Sequence, residues 1–230
     1  MSRIKKGLLS VCLSLAFPLP GNADQLVTNV DEQHQLSAAM NFGGLKADIG
    51  SGSIRYSSRI QKLDFVLAER VGPTTTLGFS YGKAILTQEG RNLTAGKSLV
   101  GSVLGLGLQQ NLWREQNWQL DLLVDYSYQL VDHADLNQSV KMGIHQAVAT
   151  TGLSTNLNWG GRLQFGLQIL HLWGEEIASG TLNHTLSLDS ETSSLGYLGY
   201  EFELDNSGAV GLLLSSGEAQ SSNIYFKRQF

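Results

Sequence analysis

Apolar and polar residues alternate along most of the chain. The clearest segment runs from Trp118 to Val131, where even-numbered positions are apolar or aromatic and most odd-numbered ones, such as Asp121 and Asp125, are polar. Successive side chains of a β-strand point to opposite faces, so this segment predicts a strand with one apolar and one largely polar face. Segments of about ten residues with this period are typical of transmembrane β-strands.

The same alternation predicts ten strands. Their approximate ranges are 35–44, 58–71, 74–86, 97–113, 117–131, 143–157, 162–173, 193–204, 208–215 and 222–230. The first strand is the least well defined, because residues 43–58 could supply a different strand or a long loop. Eight strands preceded by an N-terminal extension is therefore the alternative.

Short and long polar breaks separate these strands. The short breaks lie at 72–73, 114–117, 158–161 and 205–208, and the longer ones at 88–97, 132–141, 174–192 and 215–222. Short turns on one side and longer loops on the other are typical of outer-membrane barrels. In lipid a sheet must close to pair every backbone group. The sequence therefore predicts an all-β fold, a closed antiparallel transmembrane β-barrel.

In such a barrel the apolar faces point outward and the polar faces point into the lumen. The charged residues expected to line the lumen are Lys62, Asp64, Arg70, Asp121, Asp125, Arg162, Glu201, Glu203 and Lys227. We expect these charges to pair and block the lumen, since ten strands enclose little more space than the eight whose side chains fill the interior. The alternative is a narrow path for small solutes. An interfacial aromatic girdle is expected at Trp113, Trp118 and Trp159, beside or within the short turns.

The N-terminus is typical of a secretory signal. Arg3, Lys5 and Lys6 precede a short apolar run, and small residues end at Ala23. We expect cleavage near Ala23, a periplasmic segment over 24–34 and a barrel over 35–230. Cleavage would leave 13 basic and 20 acidic residues, a net charge of −7. This mildly acidic balance gives no reason to expect nucleic-acid binding.

The last strand ends the chain on an aromatic residue. Ile224, Phe226 and Phe230 lie on one face of it. This strand resembles the C-terminal strand of Gram-negative outer-membrane β-barrel proteins, which typically ends on phenylalanine and is recognised by the barrel assembly machinery. Arg228 departs from the pattern, which usually has an aromatic or apolar residue there, but an arginine near the interface can snorkel. The resemblance implies an outer-membrane location, with outer-membrane lipid and the assembly machinery as partners.

Histidines are the first candidates for chemistry. The five are His34, His133, His145, His171 and His184. His133 and Asp135 form the best candidate pair for an acid–base site, but a solvated loop is the favoured interpretation. His171, Glu175, Glu176 and His184 do not show the three or four converging ligands that a metal needs. We therefore expect no catalytic residues, no metal and no cofactor.

The sequence predicts a non-enzymatic role, either in binding at the surface or in supporting the envelope. The external stretch 174–192 would be the main contact surface. The alternatives are a narrow channel for small solutes and a lipid-active outer-membrane enzyme.

Overall fold

The computed structural model describes residues 34–90, 94, 96–158 and 160–230. The predicted signal segment 1–23, and all of 24–34 except His34, lie outside them. The described residues form eleven strands: β1 (Leu36–Ser51), β2 (Ile54–Arg70), β3 (Thr75–Gln88), β4 (Ser98–Glu115), β5 (Trp118–Ala134), β6 (Gln138–Leu157), β7 (Gly161–Gly180), β8 (His184–Asp189), β9 (Ser193–Glu203), β10 (Gly208–Gly217) and β11 (Gln220–Gln229). In these ranges no helix is long and apolar enough to cross a membrane.

The strands close into an antiparallel ring, because β1 pairs with β2 on one side and with β11 on the other. The ring runs from β1 to β7 in chain order and continues through β9, β10 and β11. The last residue completes the seam, since Phe230 N donates to Leu36 O at 2.8 Å. The predicted closed antiparallel all-β barrel is confirmed.

The pairing register fixes the tilt of the strands. Directly paired residues can be followed from strand to strand around the ring, starting at Phe42 on β1. In one direction, through β2, β3 and β4, this line reaches Leu130 on β5. The other direction reaches Trp118, twelve residues away on the same strand. Ten strands with this stagger tilt by roughly 40° from the barrel axis, so each residue advances about 2.5 Å along that axis.

The ten strands of the ring correspond to the ten predicted strands, and the eleventh, β8, lies in the predicted loop 174–192. β7 continues past β9 to Gly180 and pairs there with β8. β8 also meets β1 through Gly50 and Asp189. We call the end that holds Phe230 and the short turns the terminus end, and the opposite end the far end. At the far end β8 replaces β9, β10 and β11, and eight strands surround the axis.

Three further stretches predicted as possible loops are also mostly strand. Residues 43–58 form the ends of β1 and β2, joined by a tight turn in which Gly52 has a φ of 60°. Residues 132–141 extend β5 and β6, and 215–222 extend β10 and β11. These stretches are polar on their outer face, which is why they resemble loops, but they pair as strands to within a few residues of each turn.

The outer wall carries a belt of exposed apolar side chains. This apolar belt includes Met40, Phe42, Leu63, Phe65, Leu67, Leu77, Phe79, Tyr81, Leu104, Leu106, Leu108, Leu122, Val124, Tyr126, Phe165, Leu167, Ile169, Leu198, Phe202, Val210, Leu212, Leu214, Ile224 and Phe226. Trp113 and Trp118 are exposed at its terminus-end edge, and Trp118 packs edge-on against Phe165. Trp159 lies outside the described residues.

Beyond the belt the alternation inverts. On β1 Met40 and Phe42 point outward, whereas Leu45 and Ile49 point inward and are buried. The inward apolar residues of this end pack into one cluster, the far-end core: Leu45, Ala47, Ile49, Ile60, Ala84, Leu86, Leu99, Val103, Val131, Val140, Met142, Ile144, Val148, Leu170, Leu172, Ala178, Leu188, Leu195 and Ala219. A barrel wall that faces water hides its apolar side chains inside. The far end therefore has the polarity of a water-soluble barrel.

Candidate functional site

The interior contains three layers, and the first is a vestibule that opens at the terminus end. Its volume is about 710 Å³, and Arg114, Gln119, Arg162, Glu201 and Lys227 contribute to its wall. Lys227 Nζ donates to both carboxylate oxygens of Glu201, at 3.0 and 2.8 Å, and the Tyr225 hydroxyl donates to the same carboxylate at 2.8 Å. Lys227 and Glu201 are almost fully buried, so the two charges compensate each other deep in the vestibule.

A second ion pair, between Arg162 and Asp121, is slightly more exposed, at 12% and 15% of the two side chains. Arg162 Nη2 is 3.5 Å from Asp121 Oδ2 and donates to Ser154 Oγ at 2.5 Å. Gln119 Nε2 donates to both oxygens of Asp121, at 2.7 and 2.9 Å. Asp121 and Arg162 are thus held by several polar partners at once.

The other residues predicted to line the lumen are distributed along its length. Glu203 is exposed at the rim of the vestibule, and Arg70 is half-buried at the terminus end of β2. Lys62, Asp64 and Asp125 are buried in a middle layer, where Lys62 Nζ donates to Gln146 Oε1 at 3.0 Å. Asp125 is therefore in a different layer from Asp121.

The far-end core is the third layer, and it fills the interior beyond Lys62. At its top the fully buried Glu176 Oε1 lies 2.9 Å from His184 Nε2. His171 instead lies on the outer wall, with its Nε2 3.5 Å from Asp189 Oδ1. The candidate ligands are thus divided between the inner and outer faces, and within the described ranges no three His, Cys, Asp or Glu residues converge.

Two neighbouring turns at the far end form a hydrogen-bonded surface, which we call the tip surface: residues 135–137 and 181–183. Gln138 and Leu182 exchange two hydrogen bonds of 3.0 Å, from Gln138 Nε2 to Leu182 O and from Leu182 N to Gln138 Oε1. Thr181 N also donates to Asn137 O at 3.0 Å. Leu136 is fully exposed and Leu182 is 53% exposed. The tip surface therefore presents two leucines on a fixed backbone.

Asp135 connects the tip surface to the β3–β4 loop. Lys97 Nζ donates to Asp135 Oδ2 at 2.6 Å, and the backbone amides of Asn137 and Gln138 donate to Oδ1. These hydrogen bonds, with that of Lys97 first, hold the pKa of the Asp135 carboxyl below its ordinary value. Asp135 therefore organises its own turn, in the stretch where the sequence favoured a loop over an acid–base pair with His133.

An aromatic patch on the outer wall was missed from the sequence. Tyr128, His145, Trp173 and Asp189 are directly paired across β5 to β8. The rings of His145 and Trp173 stack at 5.3 Å, and Tyr126 Oη lies 2.6 Å from His145 Nδ1. Only the register brings these residues together, since they lie on different strands. The patch marks the far-end edge of the apolar belt.

The belt and the closed ring define a transmembrane β-barrel of the outer-membrane class. No family model matches the sequence, and no curated protein matches it. Solved structures do match: the outer-membrane protease OmpT from Escherichia coli is 9% identical with a TM-score of 0.50, over 90% of this chain and 100% of that chain. The translocator domain of the autotransporter NalP from Neisseria meningitidis is 13% identical with a TM-score of 0.48, over 98% and 94%. An outer-membrane channel from Pseudomonas putida F1 is 11% identical with a TM-score of 0.45, over 91% and 100%.

At these identities the similarity concerns the fold alone. Ile224, Phe226 and Phe230 are exposed on the outer side of the barrel wall near its C-terminal end. The resemblance of the last strand to that of outer-membrane β-barrel proteins is confirmed at the level of the fold.

Proposed function

We propose that this chain is an outer-membrane β-barrel with a sealed interior, which acts through its tip surface and neither conducts solutes nor catalyses a reaction. The far-end core carries the proposal. A solute that entered the vestibule would have to pass the Glu201–Lys227 pair, then the middle layer, and then a close-packed apolar cluster. Packing of this density excludes water, and ions with it.

The apolar belt supports a location in the outer membrane of a Gram-negative bacterium. On β5 the outward apolar positions extend from Trp118 to Leu130, about 30 Å along the axis at the tilt derived above. Outer-membrane barrels carry an apolar band of about 25 Å between two aromatic girdles. With the short turns in the periplasm, the far end and its tip surface would face the outside of the cell.

The tip surface has the properties of a contact site for another molecule. Its two turns are already ordered by the Gln138–Leu182 exchange, so binding would not need to order them, and the entropic cost of association would fall. Leu136 and Leu182 would supply apolar contact at the centre, and polar groups such as Lys97 and Asp135 would surround it, as in protein interfaces.

Planar-bilayer recording tests the sealed interior. The purified full-length barrel is expected to give no steady conductance, whereas a variant that thins the far-end core, Met142→Ala with Leu172→Ala, is expected to open intermittently. A steady open current from the unmodified barrel would show that solutes pass, and the channel alternative would replace the proposal.

A matched pair of variants tests the tip surface in cells. Leu136→Ser with Leu182→Ser removes the exposed leucines, while Leu204→Ser removes a leucine in a terminus-end turn that is as exposed as Leu182, at 53%. We expect only the tip variant to change cell-to-cell aggregation, surface adhesion or detergent resistance. If the tip variant matches the unmodified barrel in all three at equal surface amounts, the tip surface is not the functional site.

A further inference from the structure

We propose that the middle layer binds one monovalent cation of sodium size between Asp64 and Asp125. This layer contains two carboxylates and a single ammonium group, that of Lys62, and none of the three side chains is more than slightly exposed. Its formal charge is therefore −1. A net charge buried away from water is costly, and a bound cation would offset it.

A small cavity of about 20 Å³ lies among these groups. Asn41, Ser80, Ser127 and Gln146 line it together with the charged residues. Two glycines of the adjoining strands lie close against its lining residues: a Cβ at Gly82 would collide with Asp64, and one at Gly105 with Ser80 Oγ. A cavity of this size holds one species as large as a water molecule.

The side-chain oxygen of Asn41 provides an independent indication of a bound ligand. Asn41 is 1% exposed, and its Oδ1 has no hydrogen-bond partner among the described atoms. The Lys62 ammonium directs hydrogen bonds to Gln146 Oε1 at 3.0 Å and Ser127 Oγ at 3.5 Å. An amide oxygen and two carboxylates that line one cavity are the kind of donor set that hard cations prefer.

Charge and space together select a monovalent cation. A water molecule would fill the cavity but leave the charge of −1. A proton shared by the carboxylates would remove the charge, but it would leave the cavity empty and the Asn41 oxygen without a hydrogen-bond partner. A divalent cation would reverse the sign of the layer, since Lys62 is already present. A sodium-sized ion satisfies the charge, the volume and the oxygen donors at once.

The stability of the full-length barrel in different salts tests the site. The protein is refolded from urea into detergent micelles with sodium chloride, N-methylglucamine chloride or calcium chloride at equal ionic strength. The midpoint of the folded-to-unfolded shift on gels is then measured against temperature. We expect the highest midpoint in sodium chloride, rising with the logarithm of sodium concentration as for a ligand that binds only the folded state.

Three variants locate the effect. Asp125→Asn removes the excess charge, so the barrel should lose its dependence on sodium and be at least as stable as the unmodified protein in N-methylglucamine chloride. Asn41→Ala keeps the charge but removes one ligand, so the response should shift to higher sodium concentration. Asp121→Asn, an interior carboxylate outside the cavity, should leave the sodium response unchanged.

Equal midpoints for the unmodified barrel in sodium and N-methylglucamine chloride would overturn the site. In that case the midpoint would be measured against pH. A pH dependence in the unmodified barrel that is absent from Asp125→Asn would show that a proton, and not a sodium ion, compensates the charge. A midpoint highest in calcium chloride would likewise contradict a monovalent ion. These outcomes are independent of bilayer conductance, so the site and the sealed interior can fail separately.

Discussion

Strands β1 to β7 run through both the apolar belt and the far end, and the two regions have opposite polarity. Within the belt, β4 exposes Leu104 and Leu106 and turns glycines inward; at the far end it buries Leu99. The strand does not bulge between these positions, since β3 and β4 pair without interruption there. The solvent outside the wall changes, and the favoured face for apolar side chains changes with it.

The two interiors differ in what keeps them stable. At the level of the belt, polar side chains must find partners in a space of low dielectric constant, and the Glu201–Lys227 and Asp121–Arg162 pairs do this. At the far end, where β8 reduces the ring to eight strands, apolar side chains must fill the available volume. Variants should therefore fail for different reasons in the two regions: unpaired charge in one, lost packing in the other.

The largest effect is expected from Lys227→Met, which leaves the buried Glu201 carboxylate without its cation. Breaking a buried ion pair from one side costs about 3–5 kcal/mol, whereas replacing both partners by uncharged groups of similar volume is often nearly neutral. Urea unfolding in lipid vesicles should show this loss for Lys227→Met and substantial recovery when Glu201→Gln is added. If the double variant is no more stable than the single one, the pairing of charge does not determine the stability of this layer.

Leu172→Ala tests packing in the far-end core. Leu172 is fully buried, and truncating such a leucine costs about 2–5 kcal/mol through lost burial and the cavity left behind. Ile177→Ala is the matched control on the same strand, because Ile177 points outward and is 41% exposed. The free energy of unfolding should fall markedly for the first variant and little for the second. Equal losses would mean that the far end is not a closed apolar core.

The boundary between the two regions can be located with arginine on one strand. Leu106 and Val100 both point outward from β4 and are 60% and 50% exposed. Arginine at the bilayer midplane costs about 2–4 kcal/mol, falling to about 0–1 near the interface. We expect Leu106→Arg to destabilise the barrel in vesicles, and Val100→Arg, which would lie beside Asp132, to have little effect. Similar penalties at both positions would place the far end inside the bilayer.

The comparison also explains how much of the fold the sequence could predict. Within the belt, lipid keeps the apolar side chains at the outward positions of every strand, so the alternation has one phase. The closed barrel and its ten ring strands could be predicted from this regular alternation. At the far end the phase inverts, so that Leu45 follows Phe42 at an odd spacing and residues 43–58 resemble a loop. β8 was missed for a related reason, since its outward polar residues, such as Ser187 and Asp189, are typical of loops.

The candidate sites depend on information that alternation does not carry. The period of two assigns Glu201 and Lys227 to the inner face but does not show which charges meet, because partners are set by strand register and stagger. The Gln138–Leu182 exchange likewise joins turns that are distant in sequence. The tip surface was therefore predicted only as a general region, 174–192, and its second turn at 135–137 was not identified as part of the same surface.

The smallest effect is expected at the tip surface, where Asp135 is exposed and its charge is well screened. Its pKa lies below the ordinary value of 3.8, first because of the Lys97 hydrogen bond and then because of the Asn137 amide. A lowered pKa in the folded state means that the contribution of Asp135 is present above its ordinary pKa and is lost as the pH falls through the folded value. NMR titration of the Asp135 carboxyl carbon in nanodiscs should give a midpoint below 3.8, and Lys97→Met should raise it.

Asp205 is the internal control: the backbone amides of Ser207 and Gly208 lower the pKa of its carboxyl in a turn at the opposite end. Lys97→Met should leave the Asp205 midpoint unchanged, and a rise at both positions would show that the variant disturbs the whole barrel instead of one contact at the tip.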